Sequence, residues 1–173
     1  MVDADLKSYF DTIPHQRLLE RGGAKVSDGR VLSLVEAFLT QGVLEEMSSW
    51  TPEAGTPQGG VIRPLLSNIY LDALDHGMEE GGFEMVRYAD DFVILCRTEA
   101  DAPAALQRVQ NWTATVGLQL HPVKTRIVDA QQPGGFDFLG YHFERGYRWP
   151  REKSRRKFKD AIRAKTRPGL PGA

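Results

Sequence analysis

The sequence predicts an α+β fold in which helices pack on one face of a mainly antiparallel sheet. Three observations carry this expectation. β-prone or alternating runs recur at 2–6, 83–87, 92–96, 125–128 and 136–143. Apolar residues at helical spacing fill 28–39, 60–79 and 100–116 between them. The runs 83–87 and 92–96 are separated only by a short acidic turn, which makes them a hairpin, and no regular βαβ alternation appears. The 173 residues suit one domain, or one domain and a stub, and a 41% hydrophobic content can fill its core.

Taken in order, Val2-Asp3-Ala4-Asp5-Leu6 alternates as a strand does, so Asp3 and Asp5 share a face. Pro14 suits a helix start, and a short apolar stripe runs to Glu20 before Gly22-Gly23. Ser27 or Asp28 caps a longer helix through Leu39, with Val31, Leu34, Val35 and Phe38 on one side and Gly42 at its end. Residues 43–51 read as a short strand or hairpin arm. A helix over 60–79 has Leu65, Ile69, Leu71 and Leu74 on its apolar side and stops at Gly81-Gly82. Another over 100–116 uses Ala104, Leu106, Val109 and Trp112. Thr125 to Val128 and Phe136 to Phe143 read as two strands around Pro133-Gly134-Gly135. Arg151 to Lys165 is a basic helix, and Pro168, Gly169, Pro171 and Gly172 make a frayed end.

The net charge of −1 conceals an asymmetry. Eleven of the 22 Lys and Arg lie in residues 145–173, against only Glu152 and Asp160, which leaves residues 1–144 acidic. That split fits a basic segment that seeks phosphates, or a solvated basic helix. Cys96 is the only cysteine, which excludes an internal disulfide and a cysteine-built metal site. No apolar run is long enough to span a bilayer. Asp3, Asp5 and Lys7 interrupt any secretory signal, so a cytoplasmic setting is expected.

The chemistry-bearing residues are acids. Asp5 ends the first strand, and Asp90 and Asp91 lie at a hairpin turn 85 residues later. Carboxylates that converge repel unless protonated or bound to a cation. Magnesium suits such a site because it takes oxygen ligands and keeps several waters. Two such ions roughly 3.5–4 Å apart stabilise both oxygens of a phosphoryl displacement. Spacing alone leaves open that these are three ordinary surface acids.

Five longer blocks bear on that choice. Asp5-Leu6-Lys7-Ser8-Tyr9-Phe10-Asp11-Thr12-Ile13-Pro14-His15 comes first, and the run from Gly55 through Thr56-Pro57-Gln58-Gly59-Gly60-Val61-Ile62-Arg63-Pro64-Leu65 to Leu71 is second. Tyr88-Ala89-Asp90-Asp91, Leu118 to Thr125, and Gly135-Phe136-Asp137-Phe138-Leu139-Gly140-Tyr141 follow. Together, and in this order, they resemble the palm of group II intron reverse transcriptases. Retrons, diversity-generating elements and CRISPR-associated reverse transcriptases use a similar palm.

The resemblance implies a reverse-transcriptase palm over residues 1–143 and the start of a thumb or maturase region over 144–173. It implies an RNA-directed DNA polymerase with an RNA template (the intron RNA), a DNA primer and deoxynucleoside triphosphates, using two magnesium ions. By the same resemblance Asp5, Asp90 and Asp91 hold the ions, with the Leu6 carbonyl as a backbone ligand. Lys7, Ser8 and Tyr9 offer peptide N–H groups to the triphosphate, Phe10 is the steric gate against a 2′-hydroxyl, and Gln58, Gly59 and Lys124 complete the nucleotide site. Tyr88 and Phe138-Leu139-Gly140 support the primer. Arg155, Arg156, Lys157 and Lys159 meet nucleic-acid phosphates, with Trp149 or Phe158 free to stack on a base. Arg63 departs from the pattern, which has a small serine before that proline. The family's fingers and full thumb are not within this sequence, so a fragment or truncated form with weak or no polymerisation alone is expected. A non-catalytic RNA-binding piece that assists splicing, or an inactive remnant, is the alternative.

Overall fold

The computed structural model describes residues 1–40, 43–45, 48–50, 54–56 and 61–166. The chain divides into two compact units, Met1–Ile127 and Val128–Ala173, described separately below.

The first unit is built on a four-stranded antiparallel sheet in the order β4-β5-β1-β6. Its strands are β1 (Val2–Asp5), β4 (Glu84–Tyr88), β5 (Asp91–Leu95) and β6 (Arg126–Ile127). A short α1 (Tyr9–Thr12) follows β1, then α2 (His15–Gly23) and α3 (Gly29–Leu39). The small hairpin of β2 (Val43–Glu45) and β3 (Ser48–Trp50) stands outside this sheet. The long helices α4 (Arg63–Glu80) and α5 (Asp101–Val116) complete the unit.

Strand parity explains the layering. Val2 and Ala4 pair with Ile94 and Phe92, and all four are buried in one core with Leu66, Tyr70, Leu74 and Met78 of α4 and Ala105 and Val109 of α5. The opposite face carries Asp3, Asp5, Asp91 and the exposed Val86 and Tyr88. Apolar and acidic residues alternate in β1 because Val2 and Ala4 share the face that packs on α4 and α5.

Several expectations hold with shifted detail. Asp28 caps α3 by accepting a hydrogen bond from the Arg30 N–H at 2.8 Å. That helix, however, turns Leu39 inward and leaves Val31 and Leu34 exposed, so of the expected stripe only Val35 and Phe38 are partly buried. Its run is apolar on nearly every side, and packing against α2 rather than periodicity selects the stripe. In α4, Leu66 is buried and Leu65 exposed, and in α5 Ala105 is buried while Ala104 faces solvent. Helix α2 runs past Glu20 to include Gly22 and Gly23, where Gly22 is buried beside Leu32. The helix end expected at Gly42 and the frayed end at 168–172 lie outside the described residues.

The second unit holds a three-stranded antiparallel sheet of β7 (Phe136–Phe138), β8 (Tyr141–Glu144) and β9 (Tyr147–Pro150), followed by α6 (Glu152–Lys165). The single strand expected over 136–143 is therefore a hairpin. Leu139 and Gly140 form its turn with φ of 47° and 85°. A leucine at positive φ is uncommon, and its sequence carries no turn signal. The Gly140 carbonyl accepts from the Ser154 hydroxyl and the Arg151 N–H, both at 3.0 Å, which ties the turn to the start of α6.

Candidate active site

The two acidic segments meet at the centre of the first sheet. Asp5, the last residue of β1, lies opposite Asp91, the first of β5, in antiparallel register. Directly paired residues project to the same face. Asp90 sits beside them in the two-residue turn Ala89-Asp90. Ala89 takes a φ of 55°, the positive value that tight hairpin turns need at their first position.

Burial pushes the Asp90 carboxyl above the usual carboxylate range, and the Asp5 charge raises it further, while Lys124 and Arg63 pull the other way. The arrival of Lys124 has a local cause. Gln119 to His121 run along the end of β1, with Lys7 N–H donating to the Gln119 carbonyl and His121 N–H to the Asp5 carbonyl, both at 2.8 Å. The turn that follows swings Lys124 back over Asp5, and its ammonium pairs with that carboxylate at 2.5 Å. The Asp5 partnership holds the Lys124 ammonium above its ordinary range.

The residues after Asp5 form a tight turn. Ser8 adopts a φ of 47°, and the Tyr9 ring is buried in the core, where its hydroxyl donates to the Ser67 carbonyl. Burial pushes the Tyr9 phenol well above its ordinary range. Only the peptide unit of Tyr9, not its ring, is thus available at the site. Lys7 and Ser8, with Thr12, Gly117 and Gln119, line a cleft of about 240 Å³. Phe10 is partly buried against the core, edge-on to Tyr9.

The guanidinium of Arg63 stacks over the Phe10 ring at 4.3 Å and lies 3.9 Å from the Asp11 carboxylate. Its Nε is buried without a hydrogen bond, and its side chain is 18% exposed. The residue that departs from the family pattern therefore lies against the proposed gate. Gly55 and Thr56 are stitched to the same region, through Gly55 N–H to the Ile13 carbonyl at 2.9 Å and Thr56 N–H to the Phe10 carbonyl at 2.6 Å. Gln58 and Gly59 lie outside the described residues.

Among the described residues, no three His, Cys, Asp or Glu side chains are gathered into a ready metal cage. A magnesium ion does not require one, since it binds through one or two carboxylates, waters and substrate phosphates. Asp5, Asp90 and Asp91 at one end of the central β1–β5 pair, with Asp90 raised by burial and by Asp5, fit such an ion, because a cation relieves that repulsion.

Sequence reasoning missed Arg87. A charged residue in an alternating strand reads as solvent-facing, yet Arg87 is nine-tenths buried beneath the turn. Its place immediately before Tyr88-Ala89-Asp90-Asp91, on the parity of the inward-facing Met85, was the available signal.

In the second unit, Phe138 is buried, Leu139 half-exposed and Gly140 in the turn. Helix α6 buries none of its residues, and Arg155, Arg156, Lys157 and Lys159 are all exposed, with Phe158 67% exposed among them.

The family described as reverse transcriptase (RNA-dependent DNA polymerase) matches residues 1–143. This chain belongs to that family. As a family member it shares 28% identity with protein YkfC of Escherichia coli K12, over 84% of this chain and 47% of that protein. It shares 42% identity with the group II intron-encoded protein LtrA of Lactococcus lactis, over 43% of this chain and 12% of that protein. The fold superimposes on apo telomerase from Candida tropicalis with a TM-score of 0.66 and 12% identity, covering 87% of this chain and 35% of that one. The chain thus spans under half the length of each of these relatives. The match supports the α+β palm read from the sequence. No helix among the described residues is long and apolar enough to cross a membrane.

Proposed function

We propose that this chain is the catalytic palm of an RNA-directed DNA polymerase of the group II intron type. The observation that carries the proposal is the pairing of Asp5 with Asp91 on the sheet face where Asp90 turns in. In the proposed reaction a primer 3′-hydroxyl attacks the α-phosphate of a deoxynucleotide bound against an RNA template, and pyrophosphate leaves. Asp5, Asp90 and Asp91, with the Leu6 carbonyl, would hold two magnesium ions. When bound, such ions stabilise the charge on the attacking and leaving oxygens.

The remaining roles belong to the chain's own groups. The peptide units of Lys7, Ser8 and Tyr9 are assigned to the triphosphate, and the Phe10 ring crowds a ribose 2′-hydroxyl. Lys124 turns its ammonium from Asp5 to the triphosphate, steadying it or giving a proton to departing pyrophosphate. Gln58 and Gly59 complete the nucleotide site. Tyr88 and the Phe138-Leu139-Gly140 turn are assigned to the primer.

Asp90→Asn in the intact gene product is expected to lower primer extension by roughly a thousandfold or more, the worth of several kcal/mol of transition-state charge stabilisation. Fold and RNA binding persist. Extension at the normal rate sinks the metal assignment.

A second reading, a non-catalytic RNA-binding piece that assists splicing, draws on the exposure of every basic residue of α6. It requires intron RNA binding that is indifferent to Asp5 and Asp90.

A further inference from the structure

Arg87 makes more bonds than any role in the sheet demands. It lies on β4 in register with Phe92, on the helix-facing side, and its side chain is 9% exposed. Its Nε donates to Asp75 Oδ1 at 2.8 Å and its Nη2 to Asp75 Oδ2, a bidentate pair. Its Nη1 donates to Asn68 Oδ1 at 3.1 Å and to the Ala89 carbonyl at 2.9 Å. Asp75 and Asn68 are seven residues apart, two turns along one side of α4.

The last of these bonds is the informative one. The Ala89 carbonyl belongs to the peptide that joins Ala89 to Asp90, and Ala89 itself stands at a φ of 55°. A non-glycine residue held there is strained and persists only when its surroundings over-determine it. Charge-assisted, forked arginine bonds are among the strongest and most directional available. Arg87 therefore uses α4 as an anchor and fixes the orientation of the turn that carries Asp90.

We propose that Arg87 is a positioning residue for the Asp90 carboxylate, tying the Ala89–Asp90 peptide to Asp75 and Asn68 of α4 so that Asp90 stays beside Asp5. This rests on the assignment of Asp90 as a metal ligand, and the test separates the two. Arg87 touches no reacting atom. It acts as outer residues of metal sites do, by holding a ligand in its binding geometry.

The experiment compares wild-type chain with Arg87→Lys, Arg87→Met and Asp75→Asn. Lysine keeps the buried charge but not the fork, so it preserves the fold if methionine does not. In metal-free protein, backbone nitrogen relaxation reports the order of Ala89 and Asp90. Order parameters near 0.85 in wild type are expected to fall toward roughly 0.6 in Arg87→Lys, with α4 and α5 unchanged. Mn²⁺ affinity, read by electron paramagnetic resonance, is expected to weaken roughly tenfold or more. A folded Arg87→Lys variant with an ordered turn overturns the proposal, as does one with wild-type Mn²⁺ affinity. If wild-type chain binds no Mn²⁺, the ligand assignment falls, and the relaxation data alone decide whether Arg87 orders the turn.

Discussion

Arg63 shows how competing terms decide the effect of one residue. Its cation–π contact with Phe10 at 4.3 Å is worth about 1–2 kcal/mol at a largely buried position. Its buried, unpartnered Nε costs a comparable amount, about 1–3 kcal/mol. Arg63→Ser, which restores the family's usual residue, is therefore expected to change unfolding free energy by less than about 1 kcal/mol in urea denaturation. A loss above about 2 kcal/mol means that the contact dominates and the orphaned nitrogen is satisfied. His142 makes a pH prediction. The Asp137 carboxylate, at 2.7 Å, and then Glu144 raise its pKa above 6.5. A raised folded-state pKa contributes stability that is fully present below the unfolded value and is lost as pH rises through the folded one. The side chain is only about one-fifth exposed, yet the site is shallow, so the effect is small. Proton NMR titration is expected to find the His142 midpoint above 6.5 and lowered in Asp137→Asn.

At the scale of elements, the stitching of the Gly55 strand-like segment to the start of α2 sets a hard constraint. Gly55 has a φ of 83°, and a Cβ there meets the Asp11 backbone at 2.8 Å. Gly55→Ala is expected to destabilise by about 1–3 kcal/mol, visible as a lower Tm, because strain and a backbone clash combine. An unchanged Tm means this segment is free to move from α1. The elements also show what was legible. β1 and the β4–β5 hairpin were readable because alternation and a short acidic turn are local signals. The buried stripe of α3 was not, since Leu32 and Leu39 compete with Val31 and Leu34 on an almost uniformly apolar helix. The β7–β8 turn was hidden because Leu139 takes positive φ under tertiary constraint, tied through Gly140 to Ser154. Arg87 was overlooked for the opposite reason, as a strand charge whose partners, Asp75 and Asn68, lie on the preceding helix α4.

At the scale of the whole molecule, the first unit is acidic and α6 is basic. Charge reversal at Arg156, Lys157 and Lys159 is expected to weaken RNA binding and flatten its salt dependence, since each lost phosphate contact removes about 0.7–0.9 from the slope of log affinity against log salt. Filter binding across a salt series checks this, and an unchanged slope excludes α6 from the interface. The convergence of Asp5 and Asp91 was foreseeable because five ordered blocks frame it. The grip of Arg63 on Phe10 came from three-dimensional packing, as did the partners through which Arg87 holds the Asp90 turn. One consequence of the alternation in β1 concerns how such a protein can diverge. Asp3 and Asp5 face outward while Val2 and Ala4 face inward. Losing or gaining a single codon between them would put one flank out of phase with the other, turning one acid toward the oily interior and its aliphatic neighbour toward water. Descendants of this gene can swap letters in that stretch, but frame-preserving changes of its length should be rare among functional copies.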